Sequence, residues 1–135
     1  AHSRDPRTYR DIARRLGDER IGLCILDSDG NIDEDLARIA PLMHDDCRLV
    51  IDDYSAPLAP EKAGLVRALV DELVATRTLV TSKLAGYGTW FGHVGGASAR
   101  RALCARLPVR VFGHEAGHCY LARLDWIDPC PRSVR

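Results

Sequence analysis

A chain of 135 residues and 14.9 kDa has the size of one ordinary domain and leaves no room for a catalytic domain beside a separate binding domain. Hydrophobic residues make up 46% and charged residues 28%, a globular composition that excludes intrinsic disorder. Lys+Arg and Asp+Glu number 19 each, so no net basic field draws in a polyphosphate backbone, and nucleic acid is not expected as a partner.

No apolar run approaches the roughly 20 residues of a membrane helix, and no charged-apolar-small leader opens the chain, so a soluble, cytoplasmic protein with no membrane partner is expected. Five cysteines (Cys24, Cys47, Cys104, Cys119, Cys130) are odd in number and lack a C-x-x-C pair, which predicts reduced thiols. The opening Ala1-His2-Ser3, without Met, reads as a processed or excised piece.

In chain order, Asp5-Pro6 is an N-cap followed by proline at the first helical position. Tyr9, Ile12, Ala13 and Leu16 then keep the helical period up to Gly17. Ile21 to Leu26 is a continuous apolar run ended by Asp27, the pattern of a strand buried on both faces. Ile32, Leu36, Ile39, Ala40 and Met43 predict a helix reaching about His44, and Leu49-Val50-Ile51 a second buried strand ended by Asp52-Asp53. Beyond Pro57 and Pro60, Leu65, Val66, Leu69, Val70, Leu73 and Val74 predict a helix with a wide apolar face. Residues 79–94 read as a strand with loops, 97–107 as a short helix, and 109–124 as mainly strand. One domain over 1–127 and a loose tail over 128–135 are expected. The alternation of helix and strand predicts an α/β layered sheet with parallel crossovers, in which ligands bind beyond the carboxyl ends of the strands.

Both acidic clusters fall at such ends: Asp27 and Asp29 after one strand, Asp52 and Asp53 after the next. Neighbouring strands lie about 4.8 Å apart, so the carboxylates converge. They then repel unless a cation or a proton intervenes. Hard oxygen ligands suit Mg²⁺ or Ca²⁺, and one of the carboxylates can serve as a base. For any single Asp the plain alternative is a helix cap or a solvated acid. An EF-hand loop is excluded, because Gly30 stands fourth rather than sixth and Arg38 stands twelfth, where Glu belongs. The run Ile25 to Gly30 also resembles the first motif of haloacid-dehalogenase-type phosphatases, with Asp27 as nucleophile, but the Ser/Thr-ended strand and Lys those enzymes need have no counterpart between Asp27 and Asp52, which leaves that reading a minor alternative.

Leu26-Asp27-Ser28-Asp29-Gly30 followed by Ile51-Asp52-Asp53-Tyr54 resembles the L-D-G-D and V-D-D-Y motifs of class I S-adenosylmethionine (SAM)-dependent O-methyltransferases, most closely the macrocin/sugar O-methyltransferase group. Lys62 on the following helix, the glycine- and aromatic-containing segment 86–92 and the segment 114–120 stand in the family's order. The resemblance implies a partial Rossmann-like sheet, strands four, five, seven and six of a seven-stranded whole, with strand seven antiparallel. It also implies methyl transfer from SAM to a small-molecule hydroxyl, with Mg²⁺ held by Asp27, Asp52 and Asp53 and with Asp27 taking the proton. Ser3 corresponds to a cofactor contact near the adenine. Ser28 replaces the family's usual Gly, and Gly30-Asn31 departs from its substrate side. The family's first strand with its Gly-rich loop, and its second with an acidic residue for the ribose, have no counterpart here. The isolated chain is therefore expected to be inactive and to bind SAM weakly or not at all. The edge at 21–26 is expected to take the missing N-terminal half or a second copy. A degenerate remnant acting as an interaction module is the non-enzymatic alternative.

His114-Glu115-Ala116-Gly117-His118 fits H-E-x-x-H, the pattern of a zinc metallohydrolase. That motif requires a helix, and the flanking residues have strand chemistry. Tyr87, Trp90 and Phe91 read as packing residues, and Cys24 as a small core residue.

Overall fold

A computed structural model describes residues 5–27, 32–84 and 88–106. Helix α1 (Pro6–Leu16) begins where expected: the Asp5 carboxylate accepts the Arg7 backbone N–H at 2.9 Å, and Pro6 fills the first position. The N–H of Gly17 closes the helix on the Ala13 carbonyl. Strand β1 (Ile21–Leu26) leads to α2 (Ile32–Ile39), a short 3₁₀ turn over Ala40–Leu42 and strand β2 (Met43–Ile51). Helix α3 (Pro60–Ala75), strands β3 (Leu79–Leu84) and β4 (Trp90–Val94), and helix α4 (Ala97–Ala105) follow.

The four strands form one mixed α/β sheet in the order β1-β2-β4-β3. Strand β1 runs parallel to β2, and β4 runs antiparallel to both β2 and β3. Hence β1, β2 and β3 share a direction, and β4 is inserted between the last two. The rows Leu26–Ile51–Trp90 and Leu79–Val94 lie on one face, which α1, α2, α3 and α4 complete with Tyr9, Leu36, Val66, Val70, Leu73 and Leu103. Trp90 is the largest buried side chain, and its indole N–H donates to Thr81 Oγ1 at 3.1 Å. Its ring fits because residue 92 is Gly. A Cβ there would lie 2.2 Å from both the indole and the Val80 carbonyl.

Several expectations need correction. Helix α2 stops at Ile39, and the strand read as three residues runs for nine, Met43–Ile51. Its first two-thirds, His44-Asp45-Asp46 included, hide the start of the core-facing row, Met43 and Cys47, which Leu49 and Ile51 continue. Ala40 and Met43 are buried as the helical period implied, but through the turn and the strand. Segment 79–94, read as one strand with loops, contributes two antiparallel strands, β3 and β4, so the fourth strand among the described residues is Trp90–Val94. Segment 109–124 and the tail at 128–135 lie outside the described residues. The apolar face of α3 is narrower than expected: Ala63, Val66, Val70 and Leu73 are buried while Leu65 is exposed.

Strand β1 is at the sheet edge but is not buried on both faces, since Leu23 and Ile25 are 56% and 66% exposed. They share the face opposite the core with Arg48, Val50, Phe91 and His93, where a cavity of about 510 Å³ lies open. Among the described residues no helix is long and apolar enough to cross a membrane. Cys24 and Cys47 are free thiols, as expected. Cys104 is disulfide-bonded, which departs from the expectation of reduced thiols throughout.

Burial, with a smaller contribution from Asp35, pushes the Cys24 thiol up to about 11, and burial beside Cys24 pushes Cys47 up to about 12, from an ordinary 9.0. The unfolded chain therefore loses these protons first. Their contribution to stability is complete below pH 9.0 and disappears as pH rises through 11 and 12. A Cys24→Ala/Cys47→Ala double variant should lose less Tm than the wild type across that alkaline window. Parallel Tm–pH curves for the two proteins would contradict the burial account.

Candidate metal centre

Strands β1 and β2 pair in parallel with Leu26 opposite Ile51, and the Asp52 N–H donates to the Leu26 carbonyl at 3.0 Å. The two chains therefore leave the sheet side by side, and their next residues are Asp27 and Asp52. Asp53 follows at φ 59, in the left-handed region that Asp tolerates better than most residues. Asp27, Asp52 and Asp53 each bring an oxygen to one place, all within 4.8 Å of one another. Asp27 is exposed; Asp52 and Asp53 are half-buried.

Two neighbours hold the half-buried pair. Thr89 Oγ1 donates to Asp52 Oδ1 at 3.0 Å, and the Lys62 ammonium, in the first turn of α3, forms an ion pair with Asp53 Oδ2. The loop carrying Thr89 is joined to the loop after β2 by the Ser55 N–H, which donates to the Gly88 carbonyl at 3.0 Å. Gly88 has φ 79, and a Cβ on it would lie 1.9 Å from the Ser55 carbonyl oxygen. Only glycine permits that approach. Tyr54, next to the acidic pair, is turned toward α3: its hydroxyl donates to Asp71 Oδ1 at 2.7 Å, and the Arg67 guanidinium lies 5.3 Å from its ring centre. The bond to Asp71 raises the Tyr54 hydroxyl above its ordinary pKa. Tyr54 thus anchors the loop.

Three carboxylates against one ammonium leave the cluster net negative, and its donors are hard oxygens that suit Mg²⁺, Mn²⁺ or Ca²⁺. Beside it, a crevice of about 200 Å³ lies between α1, β1 and α2, sharing Asp27 with the cluster and lined also by Tyr9, Ile25, Leu26, Asp35 and Ile39. The Tyr9 hydroxyl donates to buried Asp35 at 3.4 Å. The crevice is a shallow, open depression with polar groups among apolar ones, large enough to take only part of a small molecule.

The structure thus brings together the three Asp residues expected as metal ligands. Ser3, Asp29 and the 114–118 histidine motif lie outside the described residues. Sequence reasoning singled out neither Thr89 nor Asp35. Thr89 is 37 positions from Asp52, and only the hairpin, itself unrecognised in the sequence, brings them together.

Thr89→Val removes one hydrogen bond to a half-buried carboxylate and should cost about 1 kcal/mol in urea unfolding. Gly88→Ala combines a left-handed φ with a backbone clash and should cost about 2 kcal/mol or more. A Gly88→Ala variant as stable as wild type would contradict the loop geometry.

Compared with protein-family models, curated proteins and solved structures, the chain matches none.

Proposed function

We propose that this chain is the C-terminal part of a Rossmann-like, SAM-dependent methyltransferase that methylates a hydroxyl of a small molecule with the help of a divalent cation. The observation that carries the reading is the convergence of Asp27, Asp52 and Asp53 within 4.8 Å at the carboxyl ends of two adjacent parallel strands. The sheet supports it: the order β1-β2-β4-β3 with β4 antiparallel corresponds to strands four, five, seven and six of the family that the two acidic motifs resemble.

Asp27, Asp52 and Asp53 would hold the cation, with Asp52 oriented by Thr89 and Asp53 paired with the Lys62 ammonium. A bound Mg²⁺ supplies positive charge that lowers the pKa of a hydroxyl ligand. Asp27, the exposed member of the cluster, would accept the proton of an acceptor hydroxyl, and SAM bound beside it would supply the methyl group for that oxygen and leave as S-adenosylhomocysteine. The crevice beside Asp27 takes part of the acceptor. Among the described residues no strand is followed by a Gly-rich loop that opens a helix, so binding of the cofactor's ribose and methionine is assigned to a partner, the N-terminal half of the domain, docked along the edge of β1. On this reading the chain works in the cytoplasm and is inactive alone.

Titration with Mn²⁺, followed by electron paramagnetic resonance, should show one site per chain, weakened about tenfold or more by Asp52→Asn or Asp53→Asn. Unchanged binding in both variants would remove the metal site. Calorimetry with S-adenosylhomocysteine should show weak or no binding to these 135 residues, and tight binding would overturn the assignment of the cofactor to another half.

A further inference from the structure

We infer that Lys62 is a resident counter-ion of the carboxylate cluster, a positioning residue that holds Asp53 in place and competes with the incoming cation for it. The inference rests on the metal reading above and deepens it. The Lys62 ammonium contacts Asp53 Oδ2, and the two side chains are 27% and 21% exposed. Water therefore screens the pair less than it screens the open pair Arg14–Asp11, at 73% and 58%. Carboxylates with oxygens within 4.8 Å of one another repel one another. An ammonium fixed at the cluster offsets that repulsion and holds Asp53 beside the other two carboxylates.

The same contact opposes the metal. Thr89 takes one oxygen of Asp52 and Lys62 takes one oxygen of Asp53, so each of these carboxylates keeps one oxygen for a cation. A divalent ion on those oxygens lies close to the Lys62 charge and is repelled by it. Cation binding then proceeds with a weakening or exchange of the Lys62–Asp53 pair. This contrasts with a purely structural tether. Removing a tether loosens Asp53 and weakens metal binding, whereas removing a competing counter-ion strengthens it. The direction of the change separates the two roles.

The test is Mn²⁺ titration of the 135-residue chain by electron paramagnetic resonance, with Lys62→Met, Lys62→Gln and Lys62→Arg beside wild type and circular dichroism as the check on folding. Lys62→Met and Lys62→Gln should bind Mn²⁺ about five- to tenfold more tightly, with the gain shrinking in high salt, and should show a lower Tm without metal. Lys62→Arg, which keeps the charge, should stay near wild type. Equal or weaker binding in both neutral variants, with wild type binding normally, overturns the inference and leaves the metal reading standing. No Mn²⁺ binding by wild type or any variant overturns both.

Discussion

The parallel pairing of β1 with β2, with Leu26 opposite Ile51, is the constraint on which the rest of the molecule depends. Parallel strands cannot be joined by a tight turn, so a crossover of some length must connect them, and α2 with its 3₁₀ turn provides it. In return both strands end on the same side of the sheet. A one-residue slip would move Asp27 away from Asp52 and turn Leu26 out of the core. Apolar side chains on the buried face therefore specify the geometry of acidic side chains beyond it. The hydrogen bond from the Asp52 N–H to the Leu26 carbonyl extends that register past the last strand residue.

The remaining elements lock this arrangement from one side. Inserting β4 between β2 and β3 places Trp90 opposite Ile51, directly beneath the carboxylate end, and brings Thr89 to Asp52. Helix α4 is tied to β2 by Arg100, whose Nε donates to Asp45 Oδ1 at 2.6 Å. It is tied to α2 and α3 by Arg106, which reaches Asp33 at 2.8 Å and Glu72 at 2.9 Å. Among the described residues β1 has no strand on its outer edge, and two of its apolar side chains, Leu23 and Ile25, are exposed. Edges of this kind pair with further chain, which agrees with the proposal that another half completes the domain.

Much of this was legible in the sequence where local chemistry and tertiary environment agree. Asp5-Pro6 and Gly17 marked α1 at both ends, and apolar runs cut off by acid marked the carboxyl ends of β1 and β2. The Asp27, Asp52 and Asp53 cluster followed from those ends, because strand spacing does not depend on which side chains are chosen. The start of β2 was hidden because its core-facing row begins with Met43 and Cys47 among acids and a histidine, which resemble a helix tail followed by a loop. The β3–β4 hairpin was hidden for a different reason. Gly88 and Gly92 resemble loop residues, yet Gly92 sits within a strand to admit the Trp90 ring. Exposure of Leu23 and Ile25 cannot be read from an apolar run, since the run says only that burial is favourable and not what covers it.

The central claim is that strand register assembles a cation site from Asp27, Asp52 and Asp53. Crystals of the chain grown with Mn²⁺, with anomalous scattering recorded at the manganese edge, test it most directly. The account predicts one strong anomalous peak bonded to an oxygen of each of the three carboxylates. Manganese bound elsewhere, or three ordered carboxylates with no peak between them, would contradict it.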